Sequence, residues 1–114
     1  MTDVTPFQQK VYDALCEVPK GKVTTYGELA KAVGINSSQA IGQALKKNPY
    51  APQVPCHRVV TSDGKIGGFF GHRTGKEVQR KIELLESEGI RVENGVIRSF
   101  AAVRHSFPSR SNRT

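Results

Sequence analysis

The sequence predicts a mainly α domain with a small β component, organised around a winged-helix-like helix-turn-helix. Three observations point there. Thr5-Pro6-Phe7-Gln8 and Thr25-Tyr26-Gly27-Glu28 both carry the spacing of a capping box, and each opens a stretch with apolar residues at helical spacing. Two short helical patterns then meet across Gly34-Ile35-Asn36, a tight turn. The β-branched residues outside these helices fall in short runs only. A length of 114 residues suits one domain. Its expected extent is residues 1–97, with 98–114 as a basic, disordered tail.

Each element has its own local reason. Thr5 can cap the first helix, Pro6 suits its first position, and Gln8 completes the box. Phe7, Val11, Ala14, Leu15 and Val18 continue at helical spacing until Pro19-Lys20-Gly21. Cys16 lies beside this stripe and reads as a small packing residue. The second helix carries Leu29, Ala30 and Val33. Asn36 or Ser37 can cap the third, which runs through Ile41, Ala44 and Leu45 to Asn48-Pro49. Pro49, Pro52 and Pro55 make residues 48–55 a rigid extended connection.

His57-Arg58-Val59-Val60-Thr61 is β-branched at its end, and Ser62-Asp63-Gly64-Lys65 has turn chemistry, so a small hairpin is predicted there. Gly67-Gly68-Phe69-Phe70-Gly71 reads as a loop where backbone can approach a ligand closely. The fourth helix is predicted over 75–88, with Val78, Ile82 and Leu85 on one face and Gly89 as its stop. Val92 and Val96-Ile97 flank Asn94-Gly95, a hairpin signal. From Arg98 onward there is no acidic residue.

A net charge of +7 on a small domain points to a polyanionic partner. Two cysteines and three histidines at scattered positions give no metal signature, and no metal or organic cofactor is expected. No apolar stretch approaches the ~20 residues that span a bilayer, and no signal peptide is apparent. The expected setting is therefore intracellular and reducing, with no membrane contact: the nucleus in a eukaryote, the cytoplasm in a prokaryote. A monomer is expected.

Pro55-Cys56-His57-Arg58-Val59-Val60 is the segment most able to carry chemistry. A thiol becomes a strong nucleophile only as thiolate, and a histidine can take its proton. Neighbours on a strand point to opposite faces, so His57 needs a turn or a bridging water to serve Cys56. On residue types alone a structural and a catalytic cysteine stay equally open.

The wider pattern resembles a known family. Pro55-Cys56-His57-Arg58-Val59-Val60 follows Asn48-Pro49 and precedes Gly67-Gly68-Phe69-Phe70-Gly71 and Glu88-Gly89. With Gly21-Lys22-Val23-Thr24-Thr25-Tyr26-Gly27-Glu28-Leu29-Ala30, this is similar to the carboxy-terminal domain of O6-alkylguanine-DNA alkyltransferases over about residues 5–92. The resemblance implies that the protein flips an O6-alkylguanine from double-stranded DNA, engaged from the minor groove, and takes the alkyl group onto Cys56 once. It implies that His57 is a water-mediated base, that Glu88 orients it, and that Asn48 braces the turn before the cysteine. Tyr26 would bond a guanine ring nitrogen. The carbonyls of Cys56 and Val59 would receive the exocyclic amine, the Phe70 N–H would face O6, and Phe69 would wall the alkyl group. Ser37, Ser38, Gln39 and Ala40 would face DNA from the recognition helix. Arg58 is a further candidate for DNA contact, although a structural ion pair suits it better.

Two departures accompany the resemblance. Gln39-Ala40-Ile41-Gly42 stands where the family has Arg-Ala-Val-Gly, so the residue that fills the emptied stack brings no charge. The amino-terminal domain of many members has no counterpart here. The main alternative is an alkyltransferase-like lesion-binding protein that recruits other repair factors with little or no transfer. Such proteins usually carry Trp where this chain has Cys56. A plain helix-turn-helix module with a structural cysteine, or a hydrolytic thiol enzyme, fits the motif set less well.

Overall fold

The computed structural model describes residues 4–50, 53–68, 75–105 and 107. In chain order the elements are α1 (Pro6–Leu15), β1 (Thr24–Thr25), α2 (Tyr26–Ala32), α3 (Ser38–Lys46), a single 3₁₀ turn (Cys56–Arg58), β2 (Val59–Val60), α4 (Lys76–Ser87), β3 (Val92–Glu93), β4 (Val96–Ile97) and α5 (Phe100–Val103).

The predicted caps hold the helix starts. The Thr5 hydroxyl accepts from the Gln8 N–H, and the Gln8 side chain accepts from the Thr5 N–H. Thr25 caps α2 by accepting from Glu28 N–H, and Ser37 caps α3 by accepting from Ala40 N–H. Between α2 and α3, Gly34 sits at φ +82°, a left-handed conformation that other residues adopt only with strain. The Ile35 N–H closes back on the Ala30 carbonyl at 3.0 Å. This is the turn of the helix-turn-helix, and α1 packs across both of its helices.

Two apolar cores share β2. Val59 belongs to the first, among Val11, Leu15, Leu29, Ile41 and Cys56; Val60 belongs to the second, among Val23, Ile66, Leu85, Ile90 and Ile97. Alternation along a strand is what lets adjacent valines serve opposite cores. Tyr12, fully buried, donates to the Ala44 carbonyl at 2.7 Å and ties α1 to α3. β3 and β4 pair antiparallel around Asn94 (φ +51°) and Gly95 (φ +76°), the hairpin turn that an Asn-Gly pair favours.

Three expectations are corrected. The 57–65 hairpin does not form. Cys56–Arg58 turns instead, and Val59–Val60 pair in parallel with Thr24–Thr25, a partner far away in sequence. Cys16 caps the end of α1 and is exposed, because it lies to one side of the buried stripe of Val11, Ala14, Leu15 and Val18. The chain beyond Ile97 does not leave the domain. Phe100 packs on the second core and against Gly64, the Val23 N–H donates to the Val103 carbonyl at 2.8 Å, and the His105 N–H donates to the Val23 carbonyl at 2.7 Å. Lys22 Nζ reaches the Ala102 carbonyl, and Phe107 rests on the first core. Aromatic burial and backbone pairing outweigh the basic composition that suggested a tail from 98. Residues 108–114 lie outside the described residues. Ending the chain at Ile97 is therefore expected to lower the thermal midpoint by several degrees, by loss of about 2 kcal/mol or more of apolar burial and pairing. An unchanged midpoint in a calorimetric scan would show these residues to be dispensable.

Candidate active site

Cys56 is 5% exposed, on the first-core side of β2. The turn that carries it is built by backbone bonds: the Cys56 N–H donates to the Val54 carbonyl at 2.8 Å, and the Arg58 N–H to the Pro55 carbonyl at 2.9 Å. Asn48, itself buried, braces the approach from both sides. Its Nδ2 donates to the Val54 carbonyl and its Oδ1 accepts from the Tyr50 N–H, each at 2.9 Å. Burial raises the Cys56 thiol pKa above its ordinary value, while the Asn48 side chain and the charge of Lys81 pull against that rise.

The 3₁₀ turn sends His57 and Arg58 toward one carboxylate. His57 is 2% exposed, and its Nε2 lies 2.8 Å from Glu88 Oε2. Burial lowers the His57 pKa, against the opposing pull of Glu88, so the ring is neutral at pH 7. A neutral ring beside a carboxylate carries its proton on the facing nitrogen, which leaves the Nδ1 lone pair available as a base. Arg58 grips the same carboxylate with Nε to Oε1 at 2.9 Å and Nη2 to Oε2 at 2.8 Å, and its Nη1 donates to the Val18 carbonyl. Burial would raise the Glu88 pKa, but the bonds from Arg58 and His57 more than offset it and hold the carboxyl below its ordinary value. Arg58 thus spends its guanidinium inside the protein, between Glu88 and the segment after α1, which suits the structural ion pair better than a DNA contact.

Tyr26, at the start of α2, is half-buried on the neighbouring wall. Burial, and then the Cys56 charge, raise its pKa, so the phenol keeps its proton at pH 7. A Cβ built on Gly67 (φ +70°) would lie 3.6 Å from the Tyr26 hydroxyl, so the Gly67-Gly68 backbone runs close beside the ring. Val59, whose carbonyl was expected to meet the base, lies fully buried immediately after the turn. Phe69 and Phe70 fall outside the described residues.

One residue near the site had no place in the sequence reading. Lys81 is completely buried, and its Nζ donates to the carbonyls of Val59 (2.7 Å), Ile66 and Gly68 (3.1 Å). A signal existed: Lys81 stands at helical spacing with Val78, Ile82 and Leu85, on the face predicted to be buried.

On α3, Ser38 and Gln39 are exposed in the first turn, and Gln43 and Lys46 continue the face begun by Gln39. A Cβ on Gly42 would meet nothing within 4 Å, so this helix face offers a low surface for close approach. Ser37 uses its hydroxyl on the Ala40 N–H as the cap. Among the described residues no cluster of three His, Cys, Asp or Glu side chains is placed to hold a metal, and no helix is long and apolar enough to cross a membrane.

The fold is thus a helix-turn-helix domain with a cysteine-bearing turn packed in the same core as α3. Residues 6–90 match the DNA-binding domain of the 6-O-methylguanine DNA methyltransferases, and the chain belongs to that family. It is 48% identical over 89 residues to the methylated-DNA–protein-cysteine methyltransferase of Thermococcus kodakarensis, covering 77% of this chain and 47% of the relative. The Mycobacterium leprae protein of the same name is 42% identical over 85 residues. The chain spans about half the length of the curated relatives it matches. S. pombe Atl1, solved with damaged DNA containing O6-carboxymethylguanine, is similar across 100% of its chain and 93% of this one (TM-score 0.76, 34% identity). Mycobacterium tuberculosis OGT, solved with DNA, gives a TM-score of 0.67 at 41% identity, covering 75% of this chain and 51% of that one.

Proposed function

We propose that this protein repairs DNA by moving an alkyl group from guanine O6 to its own Cys56. The observation that carries the reading is the Cys56 turn itself: a buried thiol braced by Asn48, followed at once by a histidine held to Glu88. In the proposed step the Cys56 proton passes through a water to His57 Nδ1. The thiolate attacks the alkyl carbon, the S–C bond forms as the C–O6 bond breaks, and the electron pair leaves on guanine. Tyr26 supplies a proton to the departing base and regains one from solvent. The product is a thioether, which ordinary reductants do not cleave, so each molecule acts once. The chemistry needs no cofactor.

Access to the base requires that it leave the stack, an event costing a few kcal/mol. In this reading the exposed α3 face enters the minor groove of duplex DNA, Gln39 occupies the vacated space, and Ser38 and Ala40 lie beside it. Phosphate contacts from a chain of +7 supply salt-dependent affinity. The protein acts as a monomer.

The test is direct. Incubated with an O6-methylguanine duplex, the protein should gain the mass of one methylene on the peptide containing Cys56. A second reading, lesion binding without transfer, draws on the full-length similarity to S. pombe Atl1. Tight binding with no mass change would select it.

Gln39 gives a separable prediction. Gln39→Arg adds donors and a charge near the phosphates, so it is expected to raise duplex affinity and transfer by about fivefold, about 1 kcal/mol. Transfer from free O6-benzylguanine, which needs no flipping, should stay the same. If Gln39→Arg and Gln39→Ala both match the parent on duplex DNA, residue 39 does not enter the stack, and Ser38 becomes the next position to exchange.

A further inference from the structure

Lys81 presents an unusual balance of charge. Its side chain is fully buried, it donates to three carbonyls, and among the described residues no carboxylate pairs with it. Burial pulls its pKa down to about 7, and the charge of Cys56 opposes that fall. Three acceptors around one nitrogen match the three N–H groups of an ammonium, whereas a neutral amine would turn a lone pair toward an oxygen. A buried cation with no carboxylate is costly unless another negative charge stands near. The titratable groups that feel it are Cys56 and His57, both on the 3₁₀ turn, and only Cys56 can become an anion there.

The three carbonyls also matter by their places. Val59 directly follows the turn that holds Cys56. Ile66 and Gly68 flank Gly67, the residue beside the Tyr26 ring. Lys81 therefore joins, through one nitrogen, the segment bearing the nucleophile and the segment forming the neighbouring wall.

We propose that Lys81 is a positioning residue of this site: its ammonium fastens these two segments together and serves as the counter-ion of the Cys56 thiolate. The proposal rests on Cys56 acting as a nucleophile, but its test does not involve alkylguanine. Lys81→Met keeps the unbranched stem and removes the charge. Parent and variant would be treated with iodoacetamide across a pH series, with Cys56 followed by peptide mass so that exposed Cys16 is counted separately. Alkylation of Cys56 at neutral pH should fall about tenfold in Lys81→Met and converge with the parent at alkaline pH, where thiolate forms unaided. Binding to undamaged duplex should be unchanged. Superimposable pH profiles would overturn the proposal.

A second measurement avoids any change at Lys81. Lysine ¹³Cε resonances would be titrated in the parent and in Cys56→Ala. Coupling between two sites is reciprocal, so Lys81 should lose its proton at lower pH once the thiol is gone. Identical Lys81 titrations in the two proteins would equally overturn the pairing.

Discussion

Cys56→Ala is expected to bind an O6-methylguanine duplex with affinity close to that of the parent and to take up no alkyl group at all. The side chain lies beneath the recognition helix, in the first core, so its loss removes the acceptor without touching the exposed face of α3. Deleting one buried sulfur should cost about 1 kcal/mol of stability, too little to unfold the domain. Intact mass after incubation reads the outcome. Cys16 is the internal control, since it is exposed and its thiol pKa is raised, first by burial and then by Asp13. A methylene gained by Cys56→Ala, or found on Cys16 in the parent, would remove Cys56 from the reaction.

Glu88→Gln should be the most damaging single change to stability. One carboxylate, 9% exposed, accepts two bonds from Arg58 and one from His57. The amide cannot balance the guanidinium, whose side chain is only 16% exposed. Breaking a buried pair while leaving its partner typically costs about 3–5 kcal/mol. Chemical denaturation should show a loss in that range, and transfer at neutral pH should slow because His57 loses its orienting partner. Both effects have a pH signature. The folded-state pKa values of Glu88 and His57 are each depressed, so the unfolded chain takes up these protons first. Stability is thus complete above the ordinary values, 6.5 for histidine and 4.5 for glutamate. It is lost as pH falls below them and through the lower folded-state values. In Glu88→Gln the lower of these two windows should vanish. A parent whose stability is flat from pH 7 to pH 4 would contradict the assignment.

What the sequence made legible was mostly local. Thr5 and Gln8 lie three residues apart, and a turn chemistry as narrow as Asn94-Gly95 has few uses, so the caps and the terminal hairpin could be read directly. The motif around Cys56 and Glu88 marked the site through its resemblance, and the bonds from His57 and Arg58 to Glu88 arise only when the end of α4 folds back onto the turn. The misreadings share one cause. Val59-Val60 has the look of a hairpin strand, but its partner is Thr24–Thr25, and no local pattern announces a parallel pairing. Lys81 drew no reading at all, although its position in the apolar stripe of α4 marks it as buried. Residues 98–105 look unstructured by composition, yet Phe100 and the bonds to Val23 hold them.

That last contact bears on how the protein is made. Lys22 and Ala102, joined in the finished domain, stand 80 residues apart in the chain. During synthesis the helix-turn-helix can leave the ribosome and begin to fold while the residues that will flank Val23 are still being added. The edge of β1 is therefore open to other strands until residues 98–105 are in place, and an unpaired edge is an aggregation risk. A stalled or truncated chain ending before residue 98 would expose that edge permanently. Residues 98–105 thus act late, covering this edge only after they are free of the ribosome.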